Sequence, residues 1–352
     1  MALHFILLKP FLLFSKFMFL FPHKNYWQIC DSWKLYSNIA YVCFVSVEII
    51  TVTYLLSLNL FKTYTAVLFA FSCSLDIITI GTHVAAFTLK KEPINNFLEC
   101  IGYLYKKNCK HVSINVIFWS VIMLVIFLTH LYNYTTAFLQ SLDNWCPIVI
   151  AFIYLIMYTI LMQIVYFLDF LKGQFLTLTS SIGDTESTLL NQVEEHWQLV
   201  ELCHDVNELY SKQLLFGMFR LFLVLTADSF FLIYNLVRFS NHPQILKIVY
   251  PSATNFIWSL TMLLATGHTC ELTKEAADSF HTALSGVLRK HKNINNEILV
   301  LYLHMKPSVN LNVCGFFSLG RHAISSVLAV VVTYLVILVQ ISNPTTVEED
   351  NK

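Results

Sequence analysis

The chain has 352 residues, of which 56% are hydrophobic, 15% aromatic and only 12% charged, and its mean hydropathy is +0.62. Soluble domains carry about 25% charged residues, so a chain with half that fraction belongs in a bilayer, crossing it several times. Lys+Arg and Asp+Glu balance at 22 each, which leaves no basic excess for nucleic acid, and the composition also excludes a disordered chain and a secreted disulfide scaffold.

Residues 1–21 are apolar but interrupted by Lys9, Pro10 and Lys16, and Phe21-Pro22-His23-Lys24 offers no small-residue cleavage site. This segment reads as an interfacial helix and not as a cleaved signal. Seven apolar segments follow, near 36–58, 64–88, 112–138, 146–170, 213–239, 247–268 and 316–341. Each approaches the ~20 residues that a helix needs to cross the hydrocarbon core. No internal repeat is visible, and glycine is scarce at 9 residues. Both features argue against an inverted-repeat transporter with broken helices.

With the N-terminus inside, sixteen Lys and Arg residues fall on the inner side and four on the outer side. The positive-inside rule therefore places the N-terminus in the cytosol and the C-terminus outside. The usable N-glycosylation triplet, Asn133-Tyr134-Thr135, then lies outside, because proline blocks Asn343-Pro344-Thr345. Cys146 is the one cysteine of nine near the outer face, so no outer disulfide is expected. This orientation is opposite to that of a G-protein-coupled receptor.

The outer loops are short and the inner ones, 89–111, 171–212 and 269–312, are long. Leu189, Val193, Val200, Cys203, Val206 and Leu209 recur at helical spacing, as do Ala276, Phe280, Leu284, Val287 and Leu288. Amphipathic helices outside the membrane need partners, so these are expected to pair in a cytosolic anchor region. The resulting organisation is an all-α membrane protein of seven transmembrane helices. It has a cytosolic or interfacial segment (1–35), a six-helix ligand-binding bundle (36–268) with a long cytosolic loop (171–212), an anchor helix (269–312), a last transmembrane helix (313–342) and a short outer tail (343–352).

Enzyme chemistry is not in view. The sequence has no Walker loop, G-x-G-x-x-G, H-E-x-x-H or C-x-x-C, and no cofactor is implied. Glu201-Leu202-Cys203-His204 has the Glu-x-x-His spacing of a di-iron helix, next to Glu194-Glu195-His196. Such a centre needs a second copy on a facing helix, so a solvated helix face is the better reading and no metal is assigned.

Glu48, Asp76, Asp169, Arg220 and Asp228 fall inside apolar segments, where charges usually face a cavity or a partner. Glu48, Asp76 and Asp228 come to similar depth, and either floor a polar pocket or pack against neighbours. Asn255 and Trp258 share a helical face in the outer half of the sixth segment. An amide beside an indole suits a small polar or amphipathic ligand, with His130 and Tyr154 at similar depth. Tyr132 and Tyr250 read instead as an interfacial aromatic belt.

The last segment carries Ser326, Ala329, Thr333, Ile337 and Gln340 on one stripe. Repeated around an axis, Ile337 would form an apolar ring and Gln340 an amide ring, as in a pore lining; packing through small residues is the other reading. Thr333-Tyr334-Leu335-Val336-Ile337-Leu338-Val339-Gln340 resembles the Thr-Tyr, five-apolar, Gln-Phe ending of insect gustatory receptors, with Ile341 in place of the final Phe. Cys314-Gly315-Phe316-Phe317-Ser318-Leu319 resembles that family's approach to its last span, although Gly320-Arg321 replaces the usual acidic position.

The resemblance implies a ligand-gated, non-selective cation channel for taste stimuli, of bitter or avoidance type before sugars. It implies a homo- or hetero-tetramer in the plasma membrane of taste-neuron dendrites. Thr333, Ile337 and Gln340 would line and gate the pore, with Tyr334 supporting the pore helix. The partners would be a small-molecule tastant, membrane lipid and other receptor subunits. A small-solute transporter is the alternative, and it would not need the stripe of the last span.

Overall fold

The computed structural model describes residues 31–57, 63–89, 146–238, 245–290 and 296–342, with 96–104 apart from 98 and eight positions between 118 and 132. The interfacial segment 1–30, His130, the Asn133 sequon and the tail from 343 lie outside the described residues. The helices are α1 (Asp31–Ser57), α2 (Thr63–Leu89), α3 (Cys146–Ser180), α4 (Glu186–Arg238), α5 (Ile245–Lys290), α6 (Glu297–Met305) and α7 (Arg321–Ser342), with a two-stranded hairpin of β1 (Asn312–Val313) and β2 (Phe317–Ser318).

Among the described residues, α1, α2, α3, α4 and α7 are long and apolar enough to cross a membrane. The described positions of the third apolar segment are all helical, and the sixth segment lies inside α5. Several threonine hydroxyls within these helices are satisfied by a carbonyl one turn back, as an environment without water favours. Thr51 donates to the Val47 carbonyl at 2.8 Å, Thr159 to Leu155 at 2.8 Å, and Thr266 to Met262 at 2.9 Å.

Helix α4 has 53 residues and α5 has 46. At 1.5 Å per residue they are about 80 and 70 Å long, far more than the ~30 Å hydrocarbon core. Part of each must project into water, and the charges show which part. Glu186, Glu194, Glu195, Glu201, Asp205, Glu208 and Lys212 crowd the first half of α4, whereas its second half carries Arg220 and Asp228 before the terminal Arg238. In α5 the order is reversed, with the polar half following His268. The hydropathy boundaries at 212 and 268 therefore mark a change of surroundings along unbroken helices.

The amphipathic stripes meet as expected. Leu189, Val193, Val200, Cys203, Val206 and Leu209 are all buried, as are Ala276, Phe280 and Leu284. They join one hydrophobic cluster that continues into the apolar halves through Leu214, Met218, Leu263, Met262 and Trp258. The anchor helix expected over 269–312 is divided: α5 ends at Lys290 and α6 starts anew at Glu297. Asn296 caps α6, its side chain accepting from the Ile298 N–H at 2.9 Å.

The hairpin adds strands to an otherwise helical fold. Cys314 (φ 50°) and Gly315 (φ 78°) occupy the two central positions of its turn, closed by Phe316 N–H donating to the Val313 carbonyl at 2.9 Å. Val313 pairs with Phe317 across this three-residue loop, and glycine freely adopts the positive φ that the turn requires. Asn207 of α4 accepts from Asn312 N–H at 2.9 Å and ties the hairpin to the long rod. The apolar run from Phe316 thus enters the hairpin first, and the last helix begins only at Arg321.

Candidate ligand site and pore helix

Four elements bring a polar cluster together inside the bundle. Asp76 of α2 and Arg220 of α4 form an ion pair, each side chain 4% exposed. The Arg220 guanidinium lies 4.9 Å from the Tyr154 ring centroid, a cation–π contact with α3. Tyr154 meets the Trp258 ring of α5 edge-on, with centroids 6.4 Å apart at 90°. Tyr158, one turn along α3, meets the same indole at 5.6 Å. Asn255 hydrogen-bonds the Asp228 carboxylate. Glu48 of α1 is buried against α2 beside Cys73.

Of the residues anticipated for a ligand site, Tyr154 and Trp258 touch, and Asn255 and Asp228 touch. His130 lies outside the described residues. Trp258 is 1% exposed, so the indole is a wall between two tyrosines and not a free flap. Tyr158 was legible, because it stands four residues from Tyr154 on the same helical face. The partnership of Arg220 with Asp76 was not, because their helices are far apart in sequence. Tyr132 and Tyr250 are exposed, as a belt requires. Asp169 is not part of the cluster and pairs with Lys172 one turn away.

The di-iron spacing resolves differently from a solvated face. Glu194, Glu201 and His204 are exposed, but His196 and Cys203 are fully buried. His196 Nε2–H donates to the Ala277 carbonyl at 3.1 Å, and Nδ1 accepts from the Tyr302 hydroxyl of α6. A carbonyl can only accept, so this is one neutral tautomer with both nitrogens used. The imidazole stacks on Phe280 at 4.5 Å. Burial pushes the Tyr302 phenol above its usual value, which keeps it a donor. Among the described residues no three His, Cys, Asp or Glu groups could share a metal ion.

Helix α7 stands at the side of the bundle, against α4 and α5. Most of its length is exposed. Ala323, Ile324 and Val331 face inward. Ala329, Thr333, Ile337 and Gln340 are exposed on the side away from Ile324 and Val331, and exposed Ser326 borders the cavity beside α4. Tyr334 packs edge-on against Phe222 of α4 at 5.8 Å. A cavity of about 750 Å³ separates the two helices below that contact, lined by Phe216, Phe219, Phe222, Phe317, Ser326 and Val330 among others.

The start of α7 is seated on α5. A Cβ on Gly267 would lie 2.5 Å from Ile324 Cδ1, so any larger residue would force the Ile324 side chain to shift. One turn on, Glu271 accepts from the Arg321 N–H at 3.4 Å, and Glu275 pairs with the Arg321 guanidinium at 3.2 Å. A carboxylate at a helix N-terminus satisfies free donors and opposes the dipole.

These features have counterparts in known proteins. The family model "7tm Chemosensory receptor" matches residues 4–342, and the chain belongs to that family. A stretch of 166 residues is 28% identical to the gustatory receptor for bitter taste 66a of Drosophila melanogaster, covering 44% of this chain and 30% of that receptor. The fold is similar to that of the insect olfactory receptor OR5 from Machilis hrabei. The TM-score is 0.61 to its eugenol complex, at 12% identity over 96% of this chain and 99% of that one. It is 0.57 to OR5 alone, at 12% identity over 95% and 98%.

Proposed function

We propose that the protein is a gustatory receptor that acts as a ligand-gated, non-selective cation channel in the plasma membrane. Seven spans, an inner N-terminus and an outer C-terminus complete the reading. Four subunits, identical or mixed, surround a pore lined by α7. One observation carries it: α7 leaves Ala329, Thr333, Ile337 and Gln340 exposed on the side opposite Ile324 and Val331, which face its own bundle. A hydroxyl-and-amide stripe facing lipid would be a poor solvent match, whereas around a shared axis it faces water. Ile337 closes the bore by dewetting and Gln340 meets hydrated ions in the open state.

Tastant binds where Tyr154, Trp258, Asp228 and Asn255 converge, and Tyr334 holds the pore helix against Phe222. The likeness to a bitter-taste receptor supports an aversive compound over a sugar. The 269–312 region, with the first half of α4, forms the anchor on the inner side. Whole-cell recording of the expressed chain against bitter compounds and sugars tests the reading. Ligand-evoked cation current supports it. Slow stoichiometric uptake of the ligand without such current would replace it with a transporter.

A further inference from the structure

Among the described residues of the bundle, the acids outnumber the cations. Arg220 is committed to Asp76 and is covered by Tyr154. Lys172 is committed to Asp169. Arg220 also acts on Glu48 and Asp228 from farther away, but among the described residues of the bundle neither carboxylate has an ion-pair partner of its own. Asp228 is 8% exposed; Asn255 takes one of its carboxylate oxygens, and Oδ2 has no hydrogen-bond partner. Its partner Asn255 stands three residues before Trp258 on the same face of α5, and Asp228 lies close enough to Tyr154, which meets Trp258, to act on it electrostatically, so the carboxylate belongs with the aromatic corner.

A buried carboxylate oxygen without a donor is costly in a low-dielectric interior. The occupant that removes the cost brings both a donor and a positive charge. A neutral polyol supplies donors but leaves the surplus charge, and an anion worsens it. Aromatic rings attract cations over their faces; Arg220 already occupies Tyr154, which leaves the paired rings of Trp258 and Tyr158 for the ligand.

We infer that the pocket selects a protonated amine: an ammonium with at least one N–H donating to Asp228 Oδ2, and the ligand's apolar ring system against Trp258. The assignment rests on the ligand pocket proposed above and names its ligand class. Asn255 is a positioning residue, holding the carboxylate so that Oδ2 faces the corner. A quaternary ammonium has the charge without the N–H, and is expected to bind less well than the matching tertiary amine.

The test uses the full-length chain purified in detergent. Thermal shift and saturation binding are measured with a panel of aromatic amines, each paired with the alcohol that replaces its amine by a hydroxyl. Amines are expected to bind at least about tenfold tighter than their alcohols, because the site is built for a charge the alcohol lacks. Asp228→Asn, isosteric with a neutral carboxylic acid, should erase that preference, and Asp228→Glu should restore part of it. Equal binding of amines and alcohols, no amine binding at all, or an Asp228→Asn protein that still prefers amines would each overturn the assignment. The paired comparison on the wild-type protein decides even where the variant does not fold. Amine binding without any current in cells would leave this assignment standing and sink the channel reading. Current evoked by neutral tastants, with no amine binding, would do the reverse.

Discussion

Arg220 and Asp76 form an ion pair that joins α4 to α2, with both side chains 4% exposed. Each charge is tolerable in the apolar interior because of the other, and the Tyr154 ring shields the guanidinium from the third side. Breaking such a pair from one side costs about 3–5 kcal/mol, because the remaining charge is stranded, whereas replacing both partners with apolar residues is often close to neutral. Arg220→Met and Asp76→Leu should each lower the detergent melting temperature and the surface yield. The double variant should recover most of the loss. Additive losses would show that the two residues do not act as a unit.

The pore assignment gives opposite expectations for two neighbouring turns of α7. Ile337→Ser should wet the constriction and raise current without ligand. Gln340→Glu, which adds a carboxylate from each subunit, should shift permeability toward divalent cations, and Gln340→Arg should suppress cation current. Leak and reversal potentials at matched surface expression read out all three. Wild-type behaviour in every variant would remove α7 from the pore.

Gly267 predicts a compensating pair. Gly267→Ala places a methyl group 2.5 Å from Ile324 Cδ1 and should unseat the start of α7. Overpacking of this kind costs about 1–3 kcal/mol. Ile324→Ala alone opens a small void, and the combination should be more stable than Gly267→Ala by itself. Thermal denaturation of the purified variants, with ligand-evoked current as a second reading, checks the pair.

Orientation has a direct assay. Translation in glycosylating microsomes should add one glycan, and Asn133→Gln should abolish the shift. A glycan that survives the change would reverse or alter the topology.

The fold was legible wherever the signal was local. Hydropathy marked the long helices, and helical spacing marked the buried stripes of α4 and α5, because those patterns report on a single element. Tyr154, Asn255, Trp258 and Asp228 could each be singled out as polar or aromatic residues in costly surroundings. Their contacts could not be read, since edge-on packing of Tyr154 on Trp258 depends on how α3 meets α5. The His196–Tyr302 hydrogen bond spans 106 positions, and Glu-x-x-His spacing on α4 gives no hint that a phenol from α6 completes the imidazole's valence. The hairpin was hidden for another reason: Phe316 and Phe317 look like the beginning of a span, and only the backbone shows that Cys314 and Gly315 fold them back.

Helix α5 carries Trp258 near one end and Phe280 near the other without a break between them. The two lie about 33 Å apart along the axis, so a tilt of roughly 5° at the indole moves the far end by about 3 Å. The rod is thus a stiff lever with no joint at which a small movement could be absorbed. Its far end packs on His196 and Tyr302, whose imidazole and phenol accept only one arrangement. Sensitivity in such a device is set by leverage and by the tightness of the distal bearing. Substitutions around Phe280, far from any tastant, should therefore retune the dose–response curve as effectively as substitutions in the pocket.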